Sequence, residues 1–296
     1  MMRACGALGA RLVLACCCVS FLGAADTTTP PVKPPSPLSS NVVAGTTWIQ
    51  TIIRDITQET VRPLTLIPAA MCPGHYDLKP SDIRTVAGCR LLLIHDWQES
   101  MPNVSGLVRA ARLPAERIRA IAVDGNWMVP ETQIRALEGI ERILEEIAPD
   151  RAAAYRKRVQ QRSREVREFA DRLQERIEAS SVRGRAVLCH VMQAPLARWA
   201  GFSVADTFDR SEDHSVATMN RLVEKGRSTG ACLVIDNLQS GDPHTGEALA
   251  RALGAPRVVL TNFPGGLDGT GTWEEALEMN VGLLLDAVAG LDTSRE

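Results

Sequence analysis

Residues 150–179 constrain the fold of this chain more than any other segment. Half of these thirty residues are charged, nine basic and six acidic. Yet Tyr155, Val159, Val166, Phe169, Leu173 and Ile177 recur at helical spacing. One narrow apolar stripe on an otherwise wet surface predicts a helix that touches the rest of the molecule along a single line. At about 1.5 Å per residue, such a helix would be on the order of 45 Å long, enough to run the length of a two-lobed molecule. A bridging helix and an exported coiled-coil arm both fit the stripe; its flanks favour the bridge.

On each side of it, short β-rich runs alternate with amphipathic stretches. Strands are expected at 41–45, 61–67, 90–94 and 118–123, then at 185–189, 202–206, 231–235 and 257–261. Helical patterns occupy 46–58, 80–87, 101–112, 130–147, 213–228, 244–253 and 272–289. Such alternation predicts parallel sheets covered by helices. The expected fold is α/β, with two lobes (41–149 and 180–296), each a roughly four-stranded parallel sheet flanked by helices, joined by one long bridging helix.

The first forty residues read differently. Arg3 and Arg11 precede an apolar run from Leu12 to Ala25 that closes on Gly23-Ala24-Ala25, the pattern of a secretory signal over 1–25. The run is shorter than the roughly 20 residues that span a bilayer. A lipid-anchored start at one of Cys16, Cys17 and Cys18 competes with this reading, although the apolar run continues past them. Residues 26–40 hold three threonines in a row and five prolines, a composition for a flexible tether. The mature chain is therefore expected to be periplasmic or extracytoplasmic. Loss of the signal removes two arginines and no acid, taking the net charge from −2 to −4. Nothing in that balance points to nucleic acid or an anionic membrane as partner. Of eight cysteines, four leave with the signal, and Cys72, Cys89, Cys189 and Cys232 remain.

Several local motifs give this pattern a family resemblance. Val42 to Thr47 ahead of an apolar helix, the loop from Cys72 through His75-Tyr76-Asp77 to Pro80-Ser81-Asp82, and Trp127-Met128-Val129-Pro130 follow one another in the first half. Cys189-His190 with Trp199-Ala200-Gly201-Phe202, and a closing helix containing Asn280, follow in the second. In this order and spacing, over essentially the whole mature chain, they resemble the zinc/manganese-type solute-binding proteins of bacterial ABC metal importers. The resemblance implies a metal held between two lobes by two ligands from each, and delivery to a membrane permease by a monomer rather than chemical turnover. It carries His75 over as the first ligand, although an ungapped alignment on Pro80-Ser81-Asp82 puts Gly74 there. It carries His190 over as the third. The second falls on Gly125 or Asn126 and the fourth on Asn262, so two customary ligands are replaced.

Substitute donors are sought among Cys, His, Asp and Glu at strand C-termini, where open α/β sheets bind ligands. Cys72 and His75 form a C-x-x-H pair in one loop. His95-Asp96 follows the third strand. Cys189 and His190 are adjacent on a strand and point to opposite faces, so one of them faces the site, and His190 is favoured. The expected metal set is His75, His190, Cys72 and His95, with Asn126, Asn262, Cys189 and Asp236 as possible cleft-lining residues. A Cys/His set suits zinc best, with copper, nickel and iron open and manganese less suited because it prefers oxygen. Competing readings are a Cys72–Cys189 disulfide, His95 as a packed core residue, and Asp236-Asn237 as a loop cap. Asp242-Pro243-His244 mimics a ligand motif but reads as an N-cap followed by a helix-starting proline. His214 reads as a surface residue. A family member that has lost its metal and binds another solute or a protein partner is the alternative function. A third is an enzyme with Cys72 as nucleophile and His75 or His190 as base, for which no oxyanion-hole segment is apparent.

Overall fold

The computed structural model describes residues 41–209, 215–242 and 244–293, all within one compact unit, Pro35–Glu296. The expected signal, the tether and His214 lie outside the described residues. No described helix is long and apolar enough to cross a membrane.

Two four-stranded parallel sheets form the molecule. The first holds β1 (Val42–Ala44), β2 (Leu64–Thr65), β3 (Leu91–His95) and β4 (Ile118–Ile121), in the order β2-β1-β3-β4. The second holds β5 (Ala186–His190), β6 (Ser203–Phe208), β7 (Leu233–Asn237) and β8 (Arg257–Leu260), in the equivalent order β6-β5-β7-β8. All six pairings are parallel. All-parallel strands are buried on both faces, which is why Leu91-Leu92-Leu93-Ile94 is one continuous apolar run.

Helices α1 (Thr47–Ile56), α2 (Pro80–Ala87), α3 (Asp96–Glu99), α4 (Pro102–Ala111) and α5 (Pro130–Ile147) cover the first sheet. After α6 (Ala152–Glu178), helices α7 (Ala194–Trp199), α8 (Val216–Thr229), α9 (His244–Leu253) and α10 (Trp273–Thr293) serve the second. Their starts follow local chemistry. Proline occupies the first position of α2, α4 and α5, where its missing N–H goes unused. The Asp82 carboxylate accepts the Lys79 N–H at 2.8 Å, and Ser215 Oγ accepts the Thr218 N–H at 3.2 Å. Before α9, Asp242 accepts the His244 N–H at 2.9 Å, the cap expected of that motif.

The 27-residue α6 is the bridge rather than a free arm. Tyr155, Val159, Val166, Leu173 and Ile177 are buried along it, and Phe169 packs edge-on against Trp273 at 5.9 Å. At about 2 kcal/mol per buried large apolar side chain, this stripe holds a helix whose remaining surface is charged. It joins one apolar core running from Val42, Ile53 and Leu137 through Val166 to Leu233 and Leu284. The buried stripe also admits Arg162, whose guanidinium meets Asp55 on α1, Glu165 at 2.7 Å and Glu274 at the start of α10 at 2.5 Å.

Candidate functional site

The C-terminal edges of the two sheets face each other across a cavity of about 360 Å³. Trp48, Cys72, Trp97, Met101 and Trp127 line it from the first lobe. From the second come His190, Met192, Asp209, Asn237, Gln239, Ser240, Asn262 and Phe263. Both sheets reverse strand order beside β1 and β5, the switch points where open α/β sheets bind ligands.

His190 ends β5 with its ring 3% exposed. The Met192 backbone N–H, which can only donate, reaches Nδ1 at 3.2 Å, so the neutral ring carries its proton on Nε2. Nε2 faces Asp209 Oδ1 at 3.7 Å. Asp209 reaches this position because β6 carries a bulge: Val187 pairs with Val204, but Leu188 pairs with Asp206. The extra residue shifts the strand's phase and extends its pairing to Phe208, opposite His190. Sequence reasoning ended this strand at 206 and missed Asp209. The neighbouring Cys189 points the other way into the core, its S–H donating to the His190 carbonyl at 3.3 Å. Burial pushes that thiol's pKa well up.

The first-lobe donors are dispersed. Cys72 lines the cavity, whereas His75, in the short 3₁₀ turn Pro73–His75, is exposed and outside its lining. Both approach Gly241 of the second lobe, whose φ of +74° only glycine adopts without strain. A Cβ there would lie 3.7 Å from Cys72 Cβ and 3.7 Å from His75 Nδ1. His95 is enclosed by tryptophans, its centroid 4.7 Å from Trp97, 4.4 Å from Trp127 and 5.8 Å from Trp48. Its Nε2 bonds Thr46 Oγ1 at 2.9 Å, and Nδ1 is buried without a hydrogen-bond partner. Burial lowers its pKa to about 3, so the ring is neutral. Asp236 also turns from the cavity, pairing with Arg257 at 2.8 Å beneath Gly246, where a Cβ would stand 2.1 Å from Asp236 Oδ2. Its neighbour Asn237 faces the cavity instead. Cys72 and Cys189 are both free thiols.

Carboxamides occupy the remaining ligand positions. Asn126 Nδ2 donates to Asn262 Oδ1 at 2.9 Å and to the Met192 carbonyl at 2.9 Å, crossing between lobes. Asn262 also accepts from Gln193 at 3.0 Å and donates to Asn237 Oδ1 at 3.1 Å. Gln239 supplies the Asn262 N–H with an acceptor at 2.9 Å and donates across the cleft to the Ala69 carbonyl at 2.8 Å. Thr47 bonds the Pro264 carbonyl at 2.7 Å, and Trp273 the Trp127 carbonyl at 2.9 Å. Across the cleft itself, the lobes are thus joined by neutral hydrogen bonds. Among the described residues, no three His, Cys, Asp or Glu side chains converge into a metal-binding group.

Solved structures of similar fold are periplasmic metal-binding proteins. A manganese-bound mutant of one from Candidatus Liberibacter asiaticus is 18% identical with a TM-score of 0.68, covering 83% of this chain and 98% of that one. Its cadmium-bound form has the same identity, TM-score and coverage. A ZnuA crystal structure is 17% identical with a TM-score of 0.67, covering 83% and 97%. No curated protein matches the sequence. The model of the family described as zinc-uptake complex component A, periplasmic, matches residues 42–287. With that match spanning both sheets and the bridging helix, the chain belongs to the ZnuA family of periplasmic metal-uptake components.

Proposed function

We propose that this chain is the extracytoplasmic solute-binding component of an ABC importer, capturing a transition-metal ion between its lobes and handing it to a membrane permease. Residues 1–25 act as the export signal and 26–40 as the tether, and the mature chain works as a monomer. The observation that carries the site is His190: a neutral imidazole at a switch-point strand end, with Nε2 turned toward Asp209. An ion bound at Nε2 would displace that proton, with the Asp209 carboxylate close by. Cys72 is the donor on the opposite wall, and the exposed His75 of the same loop is the first group an incoming ion meets. His95 serves packing, since its buried neutral ring is surrounded by indoles. Zinc is the leading cargo on the family's description, and a thiol with an imidazole suits it better than manganese. The manganese and cadmium in the similar structures keep other divalent ions in the assay.

Anaerobically purified, reduced protein should take up about one zinc per chain and melt at higher temperature with excess zinc. Saturation at a hundredfold over Kd corresponds to about 2.7 kcal/mol. His190→Ala should abolish both effects. If zinc, copper, nickel, iron and manganese all left the melting temperature unchanged, the metal reading would fall. One observation favours a second reading, a relative that has exchanged the usual ion for another solute: Asn126 and Asn262 bond each other where the family resemblance expects two ligands.

A further inference from the structure

The cavity is larger and more aromatic than a bare ion requires. Its 360 Å³ is about twelve times the ≈ 30 Å³ that one water occupies in the liquid, and it falls within the range of small-molecule sites, roughly 300–1,000 Å³. Three indoles, Trp48, Trp97 and Trp127, and the Phe263 ring contribute to its walls, with the thioethers of Met101 and Met192. Trp97 leaves 38% of its surface exposed and Met192 49%, so apolar area remains open to an occupant. Trp48, Trp127 and Phe263 support one another at centroid distances of 5.5 and 4.6 Å, so that part of the wall is rigid. The charged or thiol donors in the lining are His190, Asp209 and Cys72, and no group of three such side chains converges among the described residues. Asn126 and Asn262 have spent hydrogen-bonding capacity on each other.

We infer that the cargo is a transition-metal ion already complexed by a small planar organic chelator: His190 takes one coordination position on the metal, the chelator fills most of the others, and the exposed Trp97 indole, with the Met101 and Met192 thioethers, covers its face. This rests on the uptake reading above and names its substrate class. Planar π-systems stack or meet edge-to-face on indoles, gaining about 0.5–1.5 kcal/mol per aromatic pair beyond buried area. That gain is absent for a hydrated ion.

Zinc chloride, picolinate, L-histidine, and 1:1 mixtures of zinc with each chelator would be titrated into the reduced full chain by calorimetry. Native mass spectrometry would report what is bound. The expected result is at least one mixture binding tenfold or more tighter than zinc alone, with protein, zinc and chelator retained in one species. His190→Ala should lose that species. Trp97→Ala should lower the ratio of mixture affinity to zinc affinity at least fivefold, a readout that general destabilisation does not produce. If zinc alone bound as tightly as either mixture, with only the ion retained, this inference would be overturned and the uptake reading would stand. If neither zinc nor mixture bound, both would fall.

Discussion

Asn262 stands at the centre of the carboxamide network that crosses the cleft. Its amide accepts from Asn126 and Gln193 while donating to Asn237 Oδ1 at 3.1 Å. Asn262→Asp keeps both accepted bonds but sets a carboxylate oxygen against the Asn237 oxygen, costing about 1–3 kcal/mol without metal. The variant should therefore melt lower than the parent in chelator-treated buffer, and calorimetry should show zinc affinity raised at least tenfold. Equal affinity would mean that position 262 lies outside the ion's reach. His95 makes a pH prediction. Its folded pKa of about 3 lies below the unfolded value near 6.5, so the unfolded chain takes up a proton first as pH falls. Its contribution to stability is complete above pH 6.5 and lost between 6.5 and 3, by on the order of 5 kcal/mol at the lower end. His95→Phe forfeits the Thr46 hydrogen bond, about 1 kcal/mol near neutrality, and should flatten the parent's stability–pH slope across that window in denaturant titrations. An unchanged slope would show that His95 already titrates normally.

At the scale of elements, α6 is held by an ion-pair cluster as well as its apolar stripe. Arg162 fills the gap between Val159 and Val166, and Arg158 shares Asp55 with it, tying α1 to α6, while Glu274 ties in α10. The guanidinium, its side chain 9% exposed, stays charged despite burial because Glu274 and Asp55 flank it. Arg162→Met should lower stability by roughly 3 kcal/mol, because Asp55 and Glu274 lose their shared partner, with little sensitivity to added salt. A loss below 0.5 kcal/mol would mark these as ordinary surface pairs. Much at this scale was legible beforehand. All eight strands overlap the expected segments, with β3, β5, β6 and β7 running one or two residues further at their C-terminal ends, and α2, α5 and α9 have the expected bounds, because alternation and proline or Asp starts are local signals. The four-residue α3 and six-residue α7 are too short for a period to appear in sequence. The β6 bulge, and with it Asp209, was hidden because one inserted residue inverts the face that alternation assigns. The carboxamide network was hidden for another reason. Asn126 and Asn262 are 136 residues apart, and nothing local to either says that its partner is another amide.

For the whole molecule, two sheets of equivalent strand order present their C-terminal edges to one cavity. Five direct hydrogen bonds described above cross the cleft, and one apolar core passes from lobe to lobe along α6. A molecule already joined this way closes little further on loading, so small-angle scattering profiles with and without zinc should superimpose; a clear contraction would show that the cross-cleft bonds do not hold the empty form. The central claim is that cargo metal is held at His190 inside this cavity. Crystals grown with zinc, with and without an added chelator, and measured on both sides of the zinc absorption edge test it directly. The account predicts an anomalous peak about 2.0–2.1 Å from His190 Nε2, within the walls formed by Trp97 and Asp209. A zinc peak elsewhere on the molecule, with none in the cavity under either condition, would contradict it.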